Sequence, residues 1–154
     1  MTQLSELYNS KIIELAAAIG QGKRLAHADA TAKAHSKLCG STVEVDLVVG
    51  DGRVAGYGQT VKACLLGQAA ASVMAREIIG SSPQELQAVA AQMRDMLKAN
   101  GRPPGGRWAD LAVLEPVRAV KARHASTLLV FDAVEKALAT IDEKAARTPA
   151  GAAT

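Results

Sequence analysis

The sequence predicts an α+β fold, in which a small antiparallel β-sheet built on a hairpin is packed on one side by several α-helices. Apolar residues recur near a 3.6-residue period over residues 3–19 and again after residue 64, as in amphipathic helices. Between these segments the period changes to two around a Gly-Asp-Gly sequence at residues 50–52, as in a β-hairpin. Helices before and after a hairpin are typical of α+β domains.

The composition is that of an ordinary globular protein. The chain has 154 residues, of which 49% are hydrophobic and 21% charged, so we expect one domain over residues 1–144 and a frayed tail at 145–154. The net charge of +3 and the aromatic share of 3% argue against a nucleic-acid binder. Neither a membrane span nor a targeting segment is found, so we expect a cytoplasmic protein with reduced cysteines.

The first third of the chain is predicted as a helix followed by a loop. The apolar face of the helix over residues 3–19 ends before Gly20, a residue type favoured just beyond a helix C-terminus. Residues 21–37 are small and polar and are predicted to form a loop, in which His27 and His35 are exposed to solvent.

The hairpin is predicted from an alternating pattern. Apolar side chains face one side of its first strand (Val43, Val45, Leu47, Val49) and acidic side chains the other (Glu44, Asp46). The glycines of the turn allow the positive φ that a tight turn needs. The return strand covers residues 53–62, where Gly56 and Gly58 indicate a bend or a close approach of another backbone.

Helical spacing resumes after Cys64 and ends at Gly80. A second helix is predicted from Ser82 as N-cap, Pro83 at the first helical position and Glu85 in a capping box.

Beyond residue 100, where the helix predicted from Ser82 ends, the chain is predicted to form three further segments. We predict a loop over residues 101–108, a short element over 110–114 and a final helix over 126–144. The stretch 94–123 contains seven Lys or Arg residues, which we interpret as a solvated face with some value as a docking patch.

The two cysteines are too few for a four-thiolate metal site. Cys39 precedes the first strand of the hairpin, whereas Cys64 precedes a helix, whose N-terminus favours thiolate over thiol. Composition alone favours a packing role for both, since free cysteines are among the most buried residues. His124 is by itself more typical of a cap or surface residue, but in an extended segment it would face the same side as Ser126.

Two strings around the hairpin resemble the U-type iron–sulfur cluster assembly scaffolds, the NifU N-terminal, IscU and SufU-like family. They are Leu38-Cys39-Gly40-Ser41 and the string that begins Ala63-Cys64-Leu65-Leu66-Gly67. In that family a Cys-Gly-Asp precedes a β-hairpin, a second cysteine opens a helix rich in small residues, and a third opens the C-terminal helix. The resemblance covers roughly residues 29–138, and the segment before the third position looks more like the SufU branch.

The chain departs from this family at two expected ligand positions. Ser41 stands where the family has Asp, and Ser126 stands where it has the third cysteine. A serine hydroxyl is a poor ligand for soft or borderline metals. Cys39 and Cys64 match the family directly, whereas the histidine that precedes the third cysteine in the IscU branch falls on Ala125. We expect His124, two residues before Ser126, to turn to the same side and complete a metal site of Cys39, Cys64 and His124, with a fourth ligand from water, sulfide or a partner.

The resemblance implies a scaffold without enzymatic activity of its own. It would transiently bind iron, zinc or a nascent iron–sulfur cluster and pass it on, with a cysteine desulfurase and iron–sulfur acceptor proteins as partners. Nucleic acid and membranes are not expected as partners, and a homo-oligomer stays open. Two alternatives also stay open: a sulfur relay that accepts persulfide from the desulfurase, and a metal-free interaction or regulatory module that has lost the site.

Overall fold

The computed structural model describes residues 9–19, 23–37 and 40–147. In chain order the elements are α1 (Ser10–Ala17), β1 (Ala30–His35), β2 (Thr42–Gly50), β3 (Arg53–Lys62), α2 (Leu65–Glu77), α3 (Pro83–Lys98), a long 3₁₀ segment (Gly106–Ala119), a short 3₁₀ turn (Lys121–Arg123) and α4 (His124–Arg147). The helix predicted over residues 3–19 is confirmed for Ser10–Ala17, whereas residues 1–8 and Gly20 lie outside the described residues.

The three strands form one antiparallel sheet in the order β1-β2-β3. Val43, Val45 and Leu47 of β2 are fully buried on one face, where α4 packs against β1 and β2 and α2 packs against β3. Burial of these branched side chains under helices supplies the main driving force for folding. The predicted fold class, a small antiparallel sheet packed by helices, is confirmed.

The loop predicted over residues 21–37 is wrong for Ala30–His35, which form strand β1. Buried and exposed residues alternate strictly along β1, but the buried positions are all alanines (Ala30, Ala32, Ala34). Alanine has low strand propensity, so the local sequence carries little strand signal and pairing with β2 forms the strand. His27 and His35 are exposed, as predicted.

The predicted hairpin turn is confirmed, and its two central residues have positive φ. Asp51 and Gly52 have φ values of 54° and 75°, as in the type I′ turn that suits the twist of paired strands. Gly58 provides the predicted close backbone approach, since a Cβ there would lie 2.6 Å from the Lys23 carbonyl oxygen. Residues 23–25 therefore cross the outer face of the sheet as a strap, which we call the Arg24 strap.

The Arg24 strap covers Asp46, the β2 carboxylate predicted to face away from the core. Asp46 is only 2% exposed and accepts four hydrogen bonds: from Arg24 Nε (2.6 Å), Arg24 Nη2 (2.8 Å), the Leu25 amide (2.9 Å) and Thr31 Oγ1 (2.6 Å). The guanidinium of Arg24 holds the pKa of Asp46 well below its usual range. The alternation of β2 correctly placed Asp46 on the outer face, but it did not predict this burial.

Helix α3 begins as predicted, because Ser82 Oγ accepts a hydrogen bond from the Glu85 amide at 3.1 Å. The Glu85 carboxylate contacts the long 3₁₀ segment, accepting hydrogen bonds from Trp108 Nε1 (2.9 Å) and Arg107 Nε (3.0 Å). These bonds lower the pKa of Glu85 and attach the 3₁₀ segment to α3.

The long 3₁₀ segment corrects the prediction of a loop to residue 108 and a short element at 110–114. Its buried residues recur every third position (Trp108, Leu111, Leu114, Val117), which is the period of a 3₁₀ helix. A run of 14 residues is unusual for this conformation. The period of three was present in the sequence but matches neither of the two periods that predict α-helices and strands.

Helix α4 is longer than the predicted 126–144, because it begins at His124 and continues to Arg147. The first three residues of the predicted tail are thus helical, and residues 148–154 lie outside the described residues. The helix occupies the centre of the core, where Leu128, Phe131 and Val134 are at most 3% exposed. In the described part of the chain, no helix is both long and apolar enough to cross a membrane.

Candidate metal centre

The candidate centre lies at one end of the sheet, where the start of β2 meets the end of β3. Thr42 pairs with Lys62, so the turn before β2 and the residues that follow β3 share this end of the sheet. In that turn the Ser36 carbonyl accepts from the Gly40 amide (2.8 Å) and the Ser36 amide donates to the Ser41 carbonyl (2.9 Å). Cys39 lies outside the described residues, directly before Gly40, whose φ is +72°.

Cys64 connects β3 to α2 and is half-buried with a free thiol. It occupies the N-cap position of α2, but its side chain makes no capping hydrogen bond. Its Sγ therefore accepts no hydrogen bond from the backbone amides of the first helical turn. A sulfur beside these amides lies in the positive field of a helix N-terminus.

Ser126 lies beside Cys64, although the two residues are 62 positions apart in the chain. The distance from Cys64 Sγ to Ser126 Oγ is 3.4 Å, and Ser126 is only 1% exposed. Ser126 Oγ also donates to the Arg123 carbonyl at 3.3 Å, so with a neutral thiol the Cys64 proton can point to Ser126 Oγ. The structure therefore brings together the second and third ligand positions implied by the resemblance.

Gly67 allows this close approach of α2 and α4. A Cβ at residue 67 would lie 2.8 Å from the Ala63 Cβ and 3.0 Å from the Ser126 carbonyl oxygen. Glycine is therefore required where the first turn of α2 contacts the first turn of α4. This role was not predicted, although a glycine inside a run of small residues is the signal that could have indicated it.

Replacement of Gly67 by Ala is expected to destabilise the protein by about 1–2 kcal/mol. Overpacking typically destabilises by about 1–3 kcal/mol, partly offset by the better helix propensity of alanine. Urea unfolding measures the change. Gly50→Ala is the matched control, because a Cβ at Gly50 has its nearest neighbour at an ordinary 3.9 Å. Equal stability of the two variants would contradict the assigned role of Gly67.

His124 lies at the first residue of α4 and is 7% exposed. Its Nε2 is 3.0 Å from the Val117 carbonyl and 3.3 Å from the Arg118 carbonyl. Carbonyl groups only accept hydrogen bonds, so Nε2 carries the proton and Nδ1 is the nitrogen that could bind a metal. Because the backbone is helical here, residues 124 and 126 lie about 200° apart around the axis and do not share a face. The metal-ligand role of His124 stays a prediction.

The described residues contain no group of three or more His, Cys, Asp or Glu side chains arranged to hold a metal ion. What the described structure assembles is one sulfur and one hydroxyl oxygen, from Cys64 and Ser126. Cys39, the other cysteine of the sequence, lies outside the described residues. Sulfur ligands suit zinc, copper and iron–sulfur clusters, whereas a neutral serine hydroxyl adds little to such sites.

Comparison with solved structures places the chain among known folds. It is 51% identical to the N-terminal part of a nitrogen-fixing NifU-like protein from Brucella abortus, with a TM-score of 0.90 over 92% of this chain and 99% of that one. A putative iron–sulfur cluster assembly scaffold protein for the SUF system from Fervidobacterium islandicum AW-1 shares the fold at 18% identity, with a TM-score of 0.79 over 87% of this chain and 98% of that one.

A hypothetical protein also has the same fold, with 17% identity and a TM-score of 0.74 over 84% of this chain and 96% of that one. Neither a family model nor a curated protein matches the chain. The two more distant structures support the fold, whereas 51% identity over almost the whole length supports common descent. The chain therefore belongs to the family of NifU-like N-terminal proteins.

Proposed function

We propose that this protein is an iron–sulfur cluster assembly scaffold, which transiently holds iron or a nascent cluster and passes it to an acceptor protein. The observation that carries the proposal is the 3.4 Å approach of Cys64 Sγ to Ser126 Oγ within a NifU-like fold. This approach puts the Cys64 thiol beside residue 126, the position at which the resembled family has a third cysteine. The structure from Fervidobacterium islandicum AW-1, described as a putative scaffold of this kind, has the same fold.

Cys39 and Cys64 supply the two thiolate ligands in this proposal, and His124 supplies a third ligand through Nδ1. The hydrogen bond from His124 Nε2 to the Val117 carbonyl supports such a role, because metal-binding histidines usually donate their other ring N–H to a carbonyl or carboxylate. A fourth ligand comes from water, sulfide or a partner. A site with an open position exchanges its cargo readily, which suits a carrier.

The proposal extends to the partners and the setting of the protein. A cysteine desulfurase would supply sulfur, and an iron–sulfur acceptor protein would receive the cargo. The protein would work in the cytoplasm, where its cysteines stay reduced, and would itself catalyse no reaction.

Anaerobic reconstitution with ferrous iron and sulfide tests the proposal. We expect the wild type to develop visible absorbance and to retain iron, and Cys64→Ser to retain at least about 10-fold less, since even partners of metal ligands contribute 10–100-fold to affinity. Ser126→Ala is the matched control, because it changes the other member of the pair and leaves both thiolates. Thermal unfolding of each variant shows that the fold is retained.

Two results would contradict the proposal. One is a wild type that retains no iron or zinc, either after reconstitution or when freshly purified, which is the result expected of a metal-free module. The other is equal iron content in the wild type and Cys64→Ser. Persulfide on Cys39 or Cys64 after incubation with a desulfurase, without any retained iron, would identify the sulfur relay instead.

A further inference from the structure

A cavity of about 610 Å³ lies between the C-terminal end of α3, the end of the long 3₁₀ segment and the start of α4. Three cationic side chains line it (Lys98, Arg118, Lys121), together with Asn100, His124 and the apolar Leu97. We propose that this cationic cavity is a docking site for an acidic peptide segment of a partner protein. The proposal depends on the charges and shape of the cavity and not on metal binding at Cys64.

The charges of the cavity are largely unneutralised. Among the described residues no Asp or Glu lines it, and the side chains of Lys98 and Lys121 have neither an ion-pair nor a hydrogen-bond partner. Arg118 donates from Nη2 to the Gly101 carbonyl (3.0 Å) and to Glu115 (3.1 Å), but its buried Nε has no hydrogen-bond partner within the described part of the chain. Like charges around one space repel each other, so an anionic ligand is favoured there.

Two arginines elsewhere in the basic stretch 94–123 are paired with carboxylates. Arg94 contacts Asp132 and Glu135, and Arg107 contacts Glu85. The stretch is therefore not a uniformly basic surface. Lys98 and Lys121, which form no ion pair with the described residues, face the same cavity.

The shape and chemistry of the cavity favour a peptide over an inorganic anion. Its volume lies within the roughly 300–1,000 Å³ of ligand pockets, which is far more than a single phosphate occupies. Leu97, which is only 2% exposed, adds a small apolar part to the lining beside the cations, and Asn100 adds an amide. Among the residues that the structure describes, no aromatic side chain lines the cavity to stack a nucleobase, which argues against nucleic acid.

The position of the cavity gives such docking a clear consequence. Its lining reaches Ala125, the residue directly before Ser126. A partner anchored by an acidic segment would therefore lie next to the candidate metal centre. Charge complementarity of this kind mainly raises the rate of encounter and fixes orientation.

Fluorescence anisotropy with the full chain tests the proposal. The probe is a fluorescein-labelled eight-residue peptide of alternating glutamate and leucine, and the control peptide has glutamine in place of glutamate. We expect the acidic peptide to bind in a salt-sensitive manner and the control peptide to bind at least about 10-fold more weakly. Lys98→Ala/Lys121→Ala is expected to weaken binding of the acidic peptide by about 10-fold or more.

Lys23→Ala/Lys33→Ala is the matched control variant, because it removes the same charge from exposed lysines outside the cavity lining. This variant is expected to bind like the wild type. Equal weakening by both double variants would show a response to net charge alone and would overturn the proposal. Failure of the wild type to bind the acidic peptide would also overturn the proposal. This holds even if the cavity binds citrate, a small anion that is not a peptide. Circular dichroism excludes unfolding, and Lys121→Ala alone provides a milder second variant.

Discussion

Ser126→Cys is expected to raise the affinity of the protein for Zn²⁺ by at least about 100-fold, since even indirect partners of metal ligands contribute 10–100-fold. The substitution replaces a poorly coordinating hydroxyl by a thiolate-forming sulfur beside Cys64 Sγ, which is 3.4 Å from the present oxygen. Ser126 is held by the contact of α4 with Gly67, so the new sulfur would occupy nearly the same place. Iron–sulfur cluster retention after anaerobic reconstitution should rise in parallel.

Competition with a chromogenic zinc chelator under reducing conditions measures the affinity. Ala139→Cys is the matched control: it adds a thiol at an exposed position of α4 that is 13 residues, or about 20 Å, further along the helix. An unchanged affinity in Ser126→Cys, or an equal gain in Ala139→Cys, would show that residues 64 and 126 do not form a ligand pair.

Asp46→Ala is expected to destabilise the fold by about 3 kcal/mol, because it leaves the Leu25 amide and the Arg24 guanidinium without their buried acceptor. Glu44→Ala is the matched control on the same strand face. Its ion pair with Arg24 joins two side chains that are both more than one third exposed, so we expect a change below about 1 kcal/mol. Urea unfolding at neutral pH compares the two variants.

Asp46 also gives the stability a defined pH dependence. The pKa of its carboxyl is lowered in the folded state, so its stabilising contribution is fully present above the unfolded pKa of about 4 and is lost as the pH falls below that value. The free energy of unfolding of the wild type should therefore decrease between pH 5 and pH 2 more steeply than that of Asp46→Ala. Parallel pH profiles would contradict the assigned ion pair.

The elements that could be predicted are those whose local sequence carries a strong period or cap. Branched apolar residues of β2, the Gly-Asp-Gly turn and the Ser82 cap all predicted the structure that is observed. Strand β1 escaped prediction because alanines provide little contrast between its two faces. The long 3₁₀ segment escaped because its period of three is rarely sustained over so many residues.

Residues of the candidate site could be proposed from the sequence, and their metal-binding role stays a prediction, but their geometry could not be foreseen. The strings around Cys39 and Cys64 pointed to the family, and the same resemblance placed Ser126 at a ligand position. Only the packing of α2 on α4 shows that Ser126 lies against Cys64, and that His124 directs Nε2 to the Val117 carbonyl. Both facts depend on contacts between distant segments, which no local period encodes.

The contact at Gly67 has an evolutionary consequence. Backbone packing of two helices fixes where side chain 126 begins, so the chemistry of its last atom can change without rebuilding the fold. Serine and cysteine differ there only in oxygen and sulfur, and a single-nucleotide change can interconvert their codons. Selection can thus raise or lower the metal affinity of this lineage in one step, while the stability of the domain stays nearly constant.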